Sequence, residues 1–231
     1  MTFWSSLIFM NANSPMMEEL IFFHDHSMIV LIFIIMMIMY MMVDIINNKF
    51  YNRFLLENHD IEILWTILPA LMLIFIAVPS LRLLYLMEEF YQPELSMKIL
   101  GHQWYWSYEY PDFYIEFDSF MIPENELEMD KFRLLEVDNN FVIPNLTGLR
   151  LLISSADVIH SWTVPSLGVK VDAVPGRLNQ IFLYAYRPGL FYGQCSEICG
   201  ANHSFMPIVL EVIDLESFLN WISEDWEWDE D

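Results

Sequence analysis

The chain of 231 residues sets 10 Lys and Arg against 32 Asp and Glu, a formal net charge of −22, and 55% of its residues are hydrophobic. That balance excludes nucleic acid as a partner, because too few cations are present to neutralise phosphates. Apolar residues crowd the chain before about residue 88; beyond it lies an acidic, Pro- and Gly-punctuated stretch of roughly 140 residues, enough to bury a core of its own.

Ser27–Val43 is an uncharged run of 17 residues, and Ile63–Leu81 is another of 19. At about 1.5 Å per residue, each reaches across a bilayer core once its flanks are added. Spans are therefore expected over about 27–46 and 62–87, inside an N-terminal region of residues 1–92. Buried core helices are the alternative, but two such runs in tandem suit a small soluble protein poorly. Pro69 and Pro79 fall inside the second run, where a membrane helix tolerates proline if neighbouring groups take up the freed carbonyls.

The loop from about Asn47 to Asp60 holds Lys49 and Arg53, whereas the first 26 residues hold no Lys or Arg. The positive-inside rule puts the loop inside and both ends outside; Arg82, just after the second span, works weakly against it. No Arg-rich presequence pattern opens the chain, so insertion is expected through the spans themselves. His24-Asp25-His26 precedes the first span; such a trio could take a metal, but at a membrane interface it more commonly packs and solvates. Glu62 opens the second span, where the helix dipole favours an acid.

After the spans the pattern turns to short strands. Ile99–Tyr110 reads as one alternating strand with Trp104, Trp106, Tyr108 and Tyr110 on one face, mostly core. An aromatic of this stripe left at the surface could contact an electron donor. Further strands are expected at Arg133–Val137, Leu149–Ile153, Ile159–Val164, Gln180–Tyr186 and Met206–Val212, separated by turn signals such as Asp138-Asn139-Asn140, Pro175-Gly176 and Pro188-Gly189. The expected architecture is a two-helix membrane hairpin (1–92) followed by an all-β sandwich or barrel (93–222). The acidic residues 223–231 form a tail expected to be mobile.

The two cysteines of the chain lie in Cys195-x3-Cys199-x3-His203-x2-Met206, and His160 lies upstream at the start of an expected strand. A disulfide would close a very short loop and leave the His and Met without a role. Zinc would use the Cys and His residues but has no liking for a thioether. Copper accounts for every residue, since thiolate and thioether are soft ligands and imidazole completes the set. A mononuclear blue-copper site needs only one Cys. The second thiolate has a use if both sulfurs bridge two copper ions, each with one terminal His and with Met206 and a carbonyl in the weaker positions.

At these residues the chain closely resembles the cytochrome c oxidase subunit 2 family in its mitochondrial form. The resemblance runs from about Asn13 to Ile222 through Met17-Glu18-Glu19-Leu20, Trp65-Thr66-Ile67-Leu68-Pro69-Ala70, Gly101–Tyr110, His160-Ser161-Trp162, Pro175–Gln180 and the copper loop. It implies a cupredoxin-like Greek-key domain whose dinuclear copper centre is held by His160, Cys195, Cys199, His203, Met206 and the Glu197 carbonyl. It implies further that the Glu197 carboxylate helps bind magnesium against the catalytic subunit, that Trp104 admits electrons from cytochrome c, and that Glu62 sits near the mouth of a proton path. The implied role is to pass those electrons to the haem of the catalytic subunit, where oxygen is reduced to water and protons are pumped. The implied partners are that haem-bearing subunit, other oxidase subunits, cytochrome c and lipid.

The implied location is the mitochondrial inner membrane, multi-pass, with both termini and the copper domain in the intermembrane space. Glu109, Asp112, Asp118, Asp138 and Asp157 are the candidate acids for docking the basic cytochrome c, being close in sequence to the aromatic segment or to His160. A free-standing tethered carrier is the rival reading, but one helix would suffice as a tether. A quinol oxidase subunit 2 would lack the copper ligands. The residues after Ile222 match no pattern of the family.

Overall fold

The computed structural model describes residues 8–50, 52–89 and 92–224. They fall into two units: residues 19–87, and the described residues before 19 together with those from 88 onward.

The first unit holds two long helices, α1 (Pro15–Asn47) and α2 (His59–Glu88). Both exceed the expected spans, because their polar ends continue the helix beyond the apolar runs. At about 1.5 Å per residue they measure roughly 50 and 45 Å. Ser14 caps α1, its Oγ accepting the Met17 N–H at 3.0 Å, and Pro15 takes the first helical position, where no N–H is needed. Large apolar side chains such as Ile29, Phe33, Leu73 and Phe75 are exposed along both helices, a surface that water would not sustain. Pro79 cannot donate to the carbonyl of Phe75 four residues earlier. His26 Nε2 lies 3.1 Å from that oxygen and, since a carbonyl only accepts, must donate to it. His24 Nδ1 meets the neighbouring Asp25 at 3.2 Å. The His24-Asp25-His26 trio thus serves local packing.

The second unit is built on ten strands: β1 (Leu95–His102), β2 (Tyr105–Tyr110), β3 (Ile115–Ser119), β4 (Phe141–Pro144), β5 (Gly148–Ser155), β6 (His160–Val164), β7 (Val169–Ala173), β8 (Asn179–Tyr184), β9 (Gly189–Gln194) and β10 (Pro207–Ile213). They form a five-stranded sheet β3-β2-β1-β5-β8, a three-stranded sheet β4-β10-β9 and the ribbon β6-β7. The β1/β5 and β4/β10 pairs are parallel, and the remainder antiparallel. Between the layers Trp106, Tyr108, Phe141 and Trp162 are fully buried, with Tyr108 stacked on Phe141 at 4.5 Å and Trp162 edge-on to it at 6.1 Å.

Two expected elements are corrected. Ile99–Tyr110 is a hairpin, with β1 and β2 pairing His102 to Tyr105 around a two-residue turn at Gln103–Trp104. Trp106, Tyr108 and Tyr110 remain core, but Trp104 lies in the turn and is only partly buried. Arg133–Val137 is not a strand. Leu134 adopts φ 65°, turns precede it, and only Val137 bridges, to Met121.

The last helix, α3 (Leu215–Glu224), was not expected. Asp214 precedes it, and Phe218 and Ile222 bury one face against the sandwich. It takes in the first two residues of the predicted tail; residues 225–231 lie outside the described ones. Within this same unit, ahead of α1 in the chain, Asn13 is fully buried, donating from its main-chain N–H to the Ser166 carbonyl at 2.9 Å and accepting the Arg187 N–H on Oδ1 at 2.9 Å.

β9 approaches β6 so closely at Gly193 that a Cβ there would run into the Thr163 carbonyl. Gly193→Ala should therefore destabilise the domain by about 1–3 kcal/mol. Urea unfolding followed by tryptophan fluorescence checks this, with a lower midpoint and an unchanged slope expected. An unchanged midpoint would mean that β6 yields.

Candidate metal centre

Three segments deliver the donor atoms. His160 begins β6, Cys195 and Cys199 lie in the loop leaving β9, and His203 sits in a short 3-10 turn just ahead of Met206, which leads into β10. Antiparallel pairing sets Gln194 opposite Pro207, which brings the two ends of the loop together. The Ser196 N–H donates to the Ser161 carbonyl at 3.0 Å, tying the loop to β6.

Both cysteines are free thiols and buried. The ligand atoms of His160, Cys195 and Cys199 all lie within 4.8 Å of one another, the one such His/Cys/Asp/Glu group among the described residues. Cys195 Sγ is 4.0 Å from His160 Nδ1 and 3.4 Å from the Glu197 carbonyl. Cys199 Sγ is 3.5 Å from His203 Nδ1 and 3.5 Å from Met206 Sδ. Two sulfurs thus stand between two imidazoles, with a thioether and a carbonyl alongside. Soft anionic donors in a dry, shared pocket fit a thiophilic metal such as copper.

Electrostatics already divide the pair. Burial opposes ionisation of Cys195, but hydrogen bonding with His160 and with main-chain groups of Glu197 and Ser161 outweighs it and brings the thiol down to about 7. Burial and then the neighbouring Cys195 charge push Cys199 up to about 12. Burial also works against the charged form of His160, yet bonds to Cys195 and Asp157 leave its pKa raised. Burial would raise Asp157, but His160 and the N–H groups of Val158 and Gln103 hold it below the usual carboxylate range.

Trp104 Nε1 donates to the Cys199 carbonyl at 3.3 Å, and Gln103 Nε2 donates to the same oxygen at 2.8 Å. Glu197 is half-buried, and its carboxylate makes no hydrogen bond or ion pair among the described residues. Glu62 belongs to the helical unit, in the first turn of α2, partly exposed and 3.5 Å from His59 Nδ1.

The acids divide into groups. Asp118 and Asp157 lie near Tyr105, whose phenol is raised first by burial and then by their charges. Asp138 adjoins Asp118: it accepts the Phe120 N–H at 2.7 Å, and the next residue, Asn139, bonds the Asp118 carbonyl. Glu109 is paired with Lys98 at 2.7 Å, and Asp112 accepts the Ser96 N–H at 3.3 Å. Both sit toward the far end of the β1/β2 hairpin from Trp104, Asp112 by about 20 Å along the strands. Gln103 was missed as a site residue; its partners are remote in sequence, so no local signal points to it.

Residues 2–83 match the family model for the transmembrane domain of cytochrome c oxidase subunit II, and residues 95–213 match that for its periplasmic domain. The chain belongs to the cytochrome c oxidase subunit II family. It is 59% identical over 224 residues to cytochrome c oxidase subunit 2 of Choristoneura rosaceana, covering 96% of this chain and 99% of that one. It is likewise 59% identical over 223 residues to that of Periplaneta americana, covering 96% and 98%. The solved periplasmic domain of subunit II of the Bradyrhizobium japonicum cytochrome oxidase is 46% identical, covers 57% of this chain and 93% of its own, and superposes with a TM-score of 0.53. A subunit II domain solved as a mixed disulfide with a thioredoxin-like protein is 44% identical, covers 58% and 92%, and gives a TM-score of 0.51. The two apolar helices, with the transmembrane match, make this a membrane-anchored component of an oxidoreductase that works with other subunits.

In the reduced, metal-free protein one thiolate per chain should form as the pH rises through about 7, while the second thiol keeps its proton until about 12. Below 7 both are protonated, and the sign follows from which form the neighbours stabilise. Ultraviolet thiolate absorbance checks this. Two thiolates appearing together near the ordinary value of 9.0 would contradict the division.

Proposed function

We propose that the chain accepts electrons from cytochrome c at a dinuclear copper centre and hands them to the haem of the catalytic oxidase subunit, for reduction of oxygen to water coupled to proton pumping. The single observation behind this reading is the convergence of two buried thiols on two imidazoles and a thioether within a few ångströms. His160, Cys195, Cys199, His203, Met206 and the Glu197 carbonyl would hold the two ions. When bound, the copper pair would supply a one-electron change shared over the two ions.

The protein's part is to hold the donors where they stand and to keep water out. Burial of His160, both cysteines and Met206 lowers the solvent reorganisation that each electron would otherwise demand. Trp104, partly exposed and one hydrogen bond from the Cys199 carbonyl, offers a short path inward from the surface. Asp118 and Asp138, exposed on the same side as Tyr105, are the acids best placed to attract a basic donor. The uncommitted Glu197 carboxylate suits a magnesium ion shared with the catalytic subunit. Glu62, at the inner end of α2, suits the mouth of a proton path.

We place the chain in the mitochondrial inner membrane with both termini and the copper domain in the intermembrane space. An even number of spans keeps both ends on one side. The bonds of Asn13 and Ser14 to residues 166, 167 and 187 support the same arrangement.

The external region should bind two copper ions per chain and, when oxidised, show electron paramagnetic resonance hyperfine coupling to two equivalent nuclei. Cys199→Ser should abolish that spectrum. One copper per chain, or a zinc protein, would sink the reading. A second measurement addresses docking. Asp118→Asn with Asp138→Asn should slow association with cytochrome c and flatten its salt dependence while copper content stays whole. Association unchanged at low ionic strength would remove the docking role and leave the metal site standing.

A further inference from the structure

Trp104 sits in the turn between β1 and β2, and the metal loop meets it at Cys199 and Gly200. Its Nε1 donates to the Cys199 carbonyl at 3.3 Å, and Gln103 Nε2 donates to the same oxygen at 2.8 Å. The next residue, Gly200, has φ 124°. A Cβ at Gly200 would lie 3.1 Å from Cζ2 of the Trp104 indole, 3.4 Å from its Nε1 and 3.3 Å from Gln103 Nε2. The carbonyl of Gly200 accepts the His203 N–H at 3.3 Å, which ties its other side into the turn that carries His203.

Two separate demands therefore fall on position 200. A φ of 124° is conformational space that a side chain rarely adopts and glycine occupies freely. The face turned to the indole also lacks room for a methyl group, since carbon atoms pack comfortably at about 3.5–4.0 Å. We infer that Gly200 is a positioning residue for electron entry, its bare backbone forming the seat that holds the Trp104 indole against the metal loop. The inference rests on the reading of Trp104 as the entry point, and it deepens that reading.

Electronic coupling falls steeply with every gap crossed through space, so an entry ring works only while it touches its partner. The indole reaches Cys199, a candidate ligand, by one hydrogen bond, and its edge rests on Gly200. The Cys199 thiol is held separately, 3.5 Å from His203 Nδ1 and 3.5 Å from Met206 Sδ. Seat and donor set can therefore be separated by substitution. Gly200→Ala must give way in one of two directions. If φ relaxes, the peptide between residues 199 and 200 rotates, and its carbonyl turns from Trp104 and Gln103. If φ is kept, the methyl group pushes the indole outward by a few tenths of an ångström. Both routes loosen Trp104 and open it to solvent.

The test compares Gly200→Ala, Trp104→Phe and the double variant in the assembled oxidase. Gly200→Ala should slow electron transfer from bound cytochrome c by about 10-fold, as a small misplacement of a reacting group does. Association with cytochrome c, its salt dependence and the dinuclear copper signal should stay as in the wild type. The double variant should be no slower than Trp104→Phe alone, because both changes act on one indole. Hydroxyl-radical labelling of Trp104, read by mass spectrometry without turnover, should rise in Gly200→Ala. Wild-type labelling together with wild-type electron transfer would overturn the inference. So would an altered copper signal or a failure to assemble, for the glycine would then serve the fold of the metal loop itself. A Trp104→Phe oxidase that takes up electrons at the wild-type rate would instead remove Trp104 as the entry point, whatever residue 200 does.

Discussion

The hydrogen bond from the Ser196 N–H to the Ser161 carbonyl joins two segments that lie 35 residues apart, and the metal centre depends on it. His160 immediately precedes one partner and Cys195 immediately precedes the other, so this bond sets imidazole against thiol. Gly193 makes the approach possible, because no side chain separates its backbone from the Thr163 carbonyl. Pairing of β9 with β10 then returns the chain so that Met206 faces back toward Cys199. Backbone geometry, fixed by sheets whose cores are fully buried, thus brings the donors together.

The same burial limits how much charge the two thiols carry. One thiolate is accommodated by His160 and by main-chain groups, whereas a second beside it is resisted by desolvation and by the first charge. A pocket that holds two sulfurs together yet cannot ionise both alone is under tension, and positive charge between them would relieve it. Asp157 places a further negative charge behind His160, which is tolerable because the imidazole and two N–H groups face it.

What the sequence reveals of this chain follows from the range of the forces involved. Hydropathy marks both helices because lipid exposure is a property of each residue in turn. The Cys195–Met206 spacing is visible because four side-chain donors sit within one loop. The turn at Gln103–Trp104 is invisible, since neither residue is a turn former and the turn is held by Asp157 and Cys199, remote in sequence. Arg133–Val137 has strand-like composition but no partner strand, apart from the bridge at Val137, and the chain turns instead. β3, β4, β7 and β9 are short, and what stabilises them is pairing rather than propensity. The acids show the limit most clearly: nearness in sequence grouped Glu109 and Asp112 with the others, but the extended hairpin carries them away from Trp104, and Lys98 already offsets Glu109.

The contact between His26 and the Phe75 carbonyl has a consequence for how the helical unit tolerates change. Proline at 79 strips one acceptor of its partner inside α2, and a side chain from α1 supplies the missing donor. The two positions therefore behave as lock and key within the hairpin. Loss of His26 alone leaves the Phe75 carbonyl without that donor, whereas loss of Pro79 restores the helix's own donor and makes His26 dispensable. Substitutions at 26 and 79 should accordingly be non-additive, and a lineage that abandons the proline is freed to abandon the histidine.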